Sequence, residues 1–289
     1  MLTPTLKWSL SSAWIAIVAG SVWFNFMQID ETAQQMAVAE GRASWTKDQA
    51  YRQWVTDKGG VYAVPTEKYP PNPYLSHIPD RDVNTTSGKS LTLINPAYMI
   101  RQVHEITILP GAPTEHITSL NPLRPENKPD AWEIEALKAF EKGKEEVWGL
   151  SEINGTLNMR YMRPMVAKEG CLKCHGHQGY KVGDIRGGVS FSIPFQPFQD
   201  VADEQKISLA LWHLLIGLLG ILGIWFAFSR IVRNEKLLQN ALNDSENAKQ
   251  TVMELNETLE AKVRDEVAKS RQKDLLLIQQ SRLASMGEM

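Results

Sequence analysis

The chain has 289 residues, 43% of them hydrophobic, and 31 Lys and Arg balance 33 Asp and Glu to a formal net charge of -2. A balance so near neutral leaves no electrostatic footprint for nucleic acid, which is not expected as a partner. Two cysteines in the whole chain exclude a framework of several disulfides.

The first element is an apolar stretch at residues 8–27, interrupted by small hydroxyl residues and Asn25, preceded by Lys7 and carrying Trp8, Trp14 and Trp23. It reads as a membrane helix. A cleaved signal peptide is the alternative, but no small-x-small site follows directly, since Gly20 gives way to Val22, Trp23 and Phe24. From Glu31 to Lys58 the chain lacks Pro, and Met36, Ala39, Ala43, Ala50 and Trp54 recur at helical spacing, so the same helix continues until Gly59 and Gly60 stop it. Val61–Val64 reads as a short strand. Residues 65–79, with Pro70, Pro71 and Pro73, form an extended loop held by Tyr69, Tyr74 and Leu75.

A second loop is expected over residues 110–129. Asp130 and Glu133 then make a capping-box pattern for a helix from Ala131 to about Lys142, stopped at Gly143. From Gly155 the period becomes two: Leu157, Met159, Tyr161 and Met165 share one face and Asn158 and Arg160 the other, as in a half-buried strand. Val189, Phe191 and Ile193 alternate with Ser190 and Ser192 in a second strand of that kind. The region is therefore an α+β domain.

Residues 207–228 form a second apolar run, broken by His213, about 33 Å long as a helix and sufficient for a hydrocarbon core of roughly 30 Å. His213, near the outer end, reads as reaching the interface. Arg230, Arg233 and Lys236 follow at once and place that end in the cytoplasm, so two spans leave both termini inside and residues 28–206 outside. Beyond them Leu237, Leu242, Val252, Leu255, Leu259, Val263 and Val267 form an apolar stripe without Pro or Gly until Gly287. A parallel dimeric coiled coil would bury it, although Lys262 and Glu266 interrupt the heptads; a solvated single helix is the alternative.

Both cysteines lie in Gly170-Cys171-Leu172-Lys173-Cys174-His175-Gly176. Cys-x-x-Cys-His is the attachment pattern of a c-type haem: two thiols add across the vinyl groups and the adjacent imidazole reaches the iron. One motif implies one covalent haem, held by Cys171 and Cys174 with His175 on the iron. A redox dithiol, a zinc site with His177, and a local disulfide compete, but the first needs no His, the second crowds four ligands into seven residues, and the third closes too short a loop to stabilise much. For the sixth ligand His77, His104, His116, His177, Met99, Met159, Met162 and Met165 are all candidates, and thiolate ligation from a third cysteine is excluded. An open site would suit a diatomic gas, a closed one a redox sensor.

Several runs together carry a family resemblance: Trp54 with Gly59-Gly60-Val61-Tyr62, Pro71-Asn72-Pro73-Tyr74-Leu75, Asn95-Pro96-Ala97-Tyr98-Met99, Asn121-Pro122, Pro129-Asp130 with Trp132-Glu133, and Cys171 to Gly176. Over most of residues 30–200 the chain resembles the PAS-like haem c sensor domain of bacterial sensor histidine kinases. The resemblance implies a PAS-like antiparallel sheet flanked by a long N-terminal helix, and a role in redox or gas sensing. Gln280 to Met289 is similar to the opening of the kinase dimerisation helix, whose phosphorylated His comes later in that family; no His lies in the cytoplasmic segment. No catalytic residue is carried over.

The expected order is a membrane helix at 8–27, a periplasmic PAS-like haem c domain at 28–206, a membrane helix at 207–228, a coiled coil at 230–280 and the kinase-like start at 281–289. The expected partners are a second copy of the chain, the bilayer of the bacterial inner membrane, and a diatomic gas or redox partner, with a response regulator only where a kinase core is present. The rival reading is a membrane-anchored electron-transfer cytochrome, which has no use for the charged cytoplasmic helix. A hydrolytic or transfer enzyme finds no nucleophile and base to support it.

Overall fold

The computed structural model describes residues 4–106 and 111–286. Five α-helices and seven strands follow in the order α1 (Pro4–Asp57), β1 (Val61–Ala63), β2 (Asp82–Asn84), β3 (Ser90–Ile94), α2 (Pro96–Ile106), β4 (Thr114–Thr118), α3 (Ala131–Glu141), β5 (Val147–Ile153), β6 (Thr156–Val166), α4 (Glu169–His175), β7 (Ile185–Pro194) and α5 (Gln196–Met286). The chain divides into two compact units, residues 20–212 and residues 1–19 with 213–289.

In the first unit an antiparallel sheet runs β4-β7-β6-β5 and a smaller one β1-β3-β2. One row crosses the larger sheet as Glu115, Phe191, Tyr161 and Trp148; the next, His116, Ser190, Met162 and Val147, points to the opposite face. Ala33, Ala37 and Val38 of α1 cover the first face, joined by Phe195 just before α5 and Ala202 in its first turns. Ala136, Leu137 and Phe140 of α3 close on Met162 across the second. The sequence reading of β6 as half-buried is therefore corrected. Met159 and Tyr161 are sealed on one side, while Met162, Asn158 and Arg160 are buried on the other. Arg160 tolerates this because Asp130 and Glu133 lie 2.7 and 3.2 Å from its guanidinium.

Helix α1 can approach β6 only because residue 41 is glycine: a Cβ there would stand 2.7 Å from the Tyr161 Cβ. The Tyr161 hydroxyl then donates to Glu146 at 2.7 Å, and Arg42 of α1 donates to the same carboxylate at 2.6 Å. The expected stop after α1 is present, with Gly59 at φ 77°. So is the capping box of α3, in which the Glu133 N–H donates to Asp130 at 2.8 Å and the Asp130 N–H to Glu133 at 3.0 Å.

The expected loop over residues 110–129 is also corrected. Strand β4 occupies its middle, with a 3-10 turn at Pro125–Asn127, while residue 110 lies outside the described residues. Thr-Glu-His-Ile-Thr shows no apolar alternation because Ile117 is its one apolar inward residue, the others being charged or hydroxylated. Within residues 65–79 the loop holds a 3-10 turn at Pro73–Leu75; Leu75 is buried with Ile78 and Leu93, and the Tyr98 hydroxyl donates to the Pro70 carbonyl at 2.7 Å.

In the second unit the Trp14 indole donates to the Gly217 carbonyl at 3.2 Å, and a Cβ at Gly220 would enter the Trp14 ring. Lys7 sits 3.7 Å over the Trp225 ring. Both long helices contain stretches long and apolar enough to cross a membrane. Helix α5 runs unbroken through residues 228–230, and the stripe from Leu237 to Val267 is exposed along one chain. Gly287 to Met289 lie outside the described residues.

Candidate functional site

The motif forms the short helix α4, which places Cys171 and Cys174 one turn apart. Its start presses against the end of α1, since a Cβ at Gly170 would stand 2.6 Å from Thr56 Cγ2. Both thiols are free and partly exposed. The Cys171 sulfur accepts from the Lys168 N–H at 3.4 Å, and Cys174 packs on the Leu75, Ile78 and Leu93 cluster. Burial pushes the Cys174 thiol up.

His175 is held at both nitrogens. Nδ1 lies 2.6 Å from Gln178 Oε1, and Arg186 Nη1 lies 2.8 Å from Nε2. An arginine can only donate, so Nε2 is the accepting nitrogen and Nδ1 carries the proton toward Gln178. Gln178 is itself fixed by donating to the Asn121 carbonyl at 3.0 Å. Burial, together with the charge of Arg186, lowers the His175 pKa to about 4. The ring is therefore neutral near pH 7 and presents the Nε2 lone pair, the form that binds metal.

Cys174 and His175 open on a cleft of about 330 Å³ walled by α2, β4, the Asn121–Arg124 segment, Met165 and Arg186. Arg186 reaches it through an irregularity in β7: Met165 pairs with Gly187 and Val166 with Ile185, which leaves Arg186 without a partner on β6. Such a bulge re-aims the side chain of its extra residue. The Arg186 guanidinium also donates to Met165 Sδ at 3.4 Å, and Arg52 of α1 donates to the same sulfur at 3.2 Å. Burial lowers the pKa of both arginines, that of Arg52 to about 10.

Behind Arg52 lies a second charged group. His104 Nε2 is 2.7 Å from Glu115 and 3.2 Å from Asp48, and Arg52 is 3.9 Å from Glu115. Burial opposes a charge on His104, but the two carboxylates outweigh it and raise its pKa to about 9. A pKa raised on folding contributes stability that is complete below about 6.5 and is lost as pH rises through about 9. The melting temperature is expected to fall across that window, and His104→Gln to remove the fall; melts of both proteins between pH 6.5 and 9 check it.

The remaining sequence candidates separate clearly. His116 lines the cleft with Nδ1 2.9 Å from Glu133 and Nε2 2.9 Å from the Glu126 carbonyl. Met159 and Met162 are sealed in the two faces of the sheet. His77 and His177 are exposed and meet at a tilt of 60° with centroids 4.7 Å apart. Met99 is half-buried and does not line the cleft. Gln178, Arg52 and Arg186 escaped the sequence reading. The pair Gly187-Gly188 directly after Arg186 was the available signal for a strand irregularity.

The model of one family, described as Tll0287-like, matches residues 30–194. No curated protein matches the chain. Among solved structures, the chain is similar to one described as the crystal structure of the cyanobacterial haem-protein Tll0287. The identity is 16%, over 35% of this chain and 73% of that one, with a TM-score of 0.30, too low to carry fold or function across.

Proposed function

Because the chain belongs to the Tll0287-like family, whose domain here carries a Cys-x-x-Cys-His helix between β6 and β7, we propose that it is a membrane-bound sensor with one covalent haem c. The carrying observation is that Cys174 and a neutral His175 line a cleft, with Cys171 one helical turn before Cys174. Two thiols one turn apart suit attachment along one porphyrin edge, and an imidazole whose proton is committed to Gln178 keeps its Nε2 lone pair, which Arg186 holds here and iron would take. The donor set thus fits the group. Haem would supply a one-electron redox change and an axial position where a diatomic gas could compete.

The chain's own residues supply the rest. Gln178 fixes the His175 tautomer, and Arg186, on the bulge of β7, contacts the imidazole directly. Strand β7 leads through Phe195 directly into α5, so a shift of Arg186 when the haem changes state would be passed along the chain to the start of that helix. In this reading residues 28–206 are a periplasmic PAS-like domain, 8–27 and 207–228 cross the inner membrane, and 230–280 pair with a second copy as a coiled coil. The exposed stripe from Leu237 to Val267 supports that pairing. Residues 281–289 would open a histidine-kinase dimerisation helix, making the chain the input module of a two-component system.

Joined to a complete kinase core in membrane vesicles, the chain is expected to give autophosphorylation that differs between reduced and oxidised haem. Equal activity in the two states, with haem content unchanged, would sink the signalling reading.

A further inference from the structure

We propose that Met165 is the second axial ligand of the haem iron, opposite His175, and that Arg186 stands between the two donor atoms until the cofactor arrives. The inference rests on the haem reading above. One guanidinium donates Nη1 to His175 Nε2 at 2.8 Å and Nη2 to Met165 Sδ at 3.4 Å. An imidazole nitrogen and a thioether sulfur are the two atoms of a His/Met axial pair, and here they converge on a single flat group.

Arg186 is poorly satisfied where it lies. Its Nε is enclosed without a hydrogen bond, and no carboxylate among the described residues pairs with it. A buried cation without a counter-charge keeps its desolvation cost uncompensated, and no ion pair holds it in this place. Met165 is 6% exposed yet lines the same cleft as Cys174 and His175, so its sulfur is enclosed by protein and open toward the site. Arg52 also donates to that sulfur, at 3.2 Å. A thioether has two lone pairs, so Arg52 can keep one while the other turns to metal.

The alternatives are engaged or misplaced. His104 is held as a cation between Asp48 and Glu115, and both nitrogens of His116 have partners. Met159 and Met162 are closed in the cores, and His77, His177 and Met99 do not line the cleft.

The test uses the full chain purified with its haem, compared with Met165→Leu and Met165→His. Wild type is expected to show the far-red charge-transfer band of a thioether-ligated ferric haem, a six-coordinate low-spin ferrous state and slow carbon monoxide binding. Met165→Leu, which nearly preserves volume, should lose the band, become high-spin when reduced, bind carbon monoxide directly and have a lower reduction potential. Met165→His should stay low-spin without the band. Covalent haem with a spectrum unchanged in Met165→Leu overturns this inference alone. Haem that leaves the wild-type polypeptide on denaturation overturns the haem reading and this inference with it.

Discussion

Replacing Cys171 and Cys174 together by Ala is expected to abolish covalent haem completely while leaving a folded domain. Both thiols are free and partly exposed, so neither stabilises the fold through a disulfide, and only Cys174 touches a hydrophobic cluster. Its truncation leaves a small gap beside Leu75, Ile78 and Leu93, a modest loss compared with emptying a core position. Attachment, by contrast, needs both sulfurs, because each would hold one edge substituent of the porphyrin. The measurement is haem retained by the polypeptide after acid denaturation, read beside the circular dichroism of the same sample. Each single variant should keep one bond and an altered spectrum. Haem that stays with the double variant under denaturation would refute attachment through these residues.

Glu133→Ala should destabilise the domain by about 3–5 kcal/mol, the usual cost of removing one partner from a buried charged pair. Glu133 is 1% exposed. Its carboxylate accepts from Ser190 Oγ at 2.6 Å and from the Asp130 N–H at 3.0 Å, and it lies 2.9 Å from His116 and 3.2 Å from Arg160. Removing it leaves the Asp130 N–H of the capping box without its acceptor, takes from buried Arg160 one of its two carboxylates and leaves His116 Nδ1 without its partner. A domain of this size loses roughly 2–4 °C per kcal/mol, so a drop of about 10 °C is expected in a thermal melt.

The sign of the pH effect is also set. Burial would raise the Glu133 pKa, but His116, Ser190 and the Asp130 amide together lower it. Its contribution is therefore present above the ordinary carboxylate range and lost as pH falls through the lowered value. Glu133→Gln should remove that acid sensitivity at less cost than Ala. A melting temperature unchanged in Glu133→Ala would show that the network contributes nothing.

Legibility tracked the range over which each interaction acts. The helix from Ala131, its capping box and the stop at Gly59 and Gly60 were readable because a cap and its partner lie within a few residues. Helix α2 carries a similar mark, Asn95 before Pro96, with Asn95 Oδ1 accepting from the Tyr98 N–H at 3.0 Å, yet no helix is predicted there. Strands β2, β3 and β5 were not read either. Strand β2 has three residues and β5 sits at a sheet edge, so neither needs a strong apolar alternation.

By itself the sequence determined the Cys-x-x-Cys-His run, the long apolar helices and the alternation of β6 and β7, because each is written in spacings along the chain. Only the tertiary structure decided that β6 is buried on both faces, since that depends on α1 and α3 closing from opposite sides. It alone brought Arg52, Met165 and Arg186 together, residues up to 134 positions apart. No local spacing encodes such a meeting; it follows from which sheet face each helix covers and from one bulge that turns Arg186 toward His175.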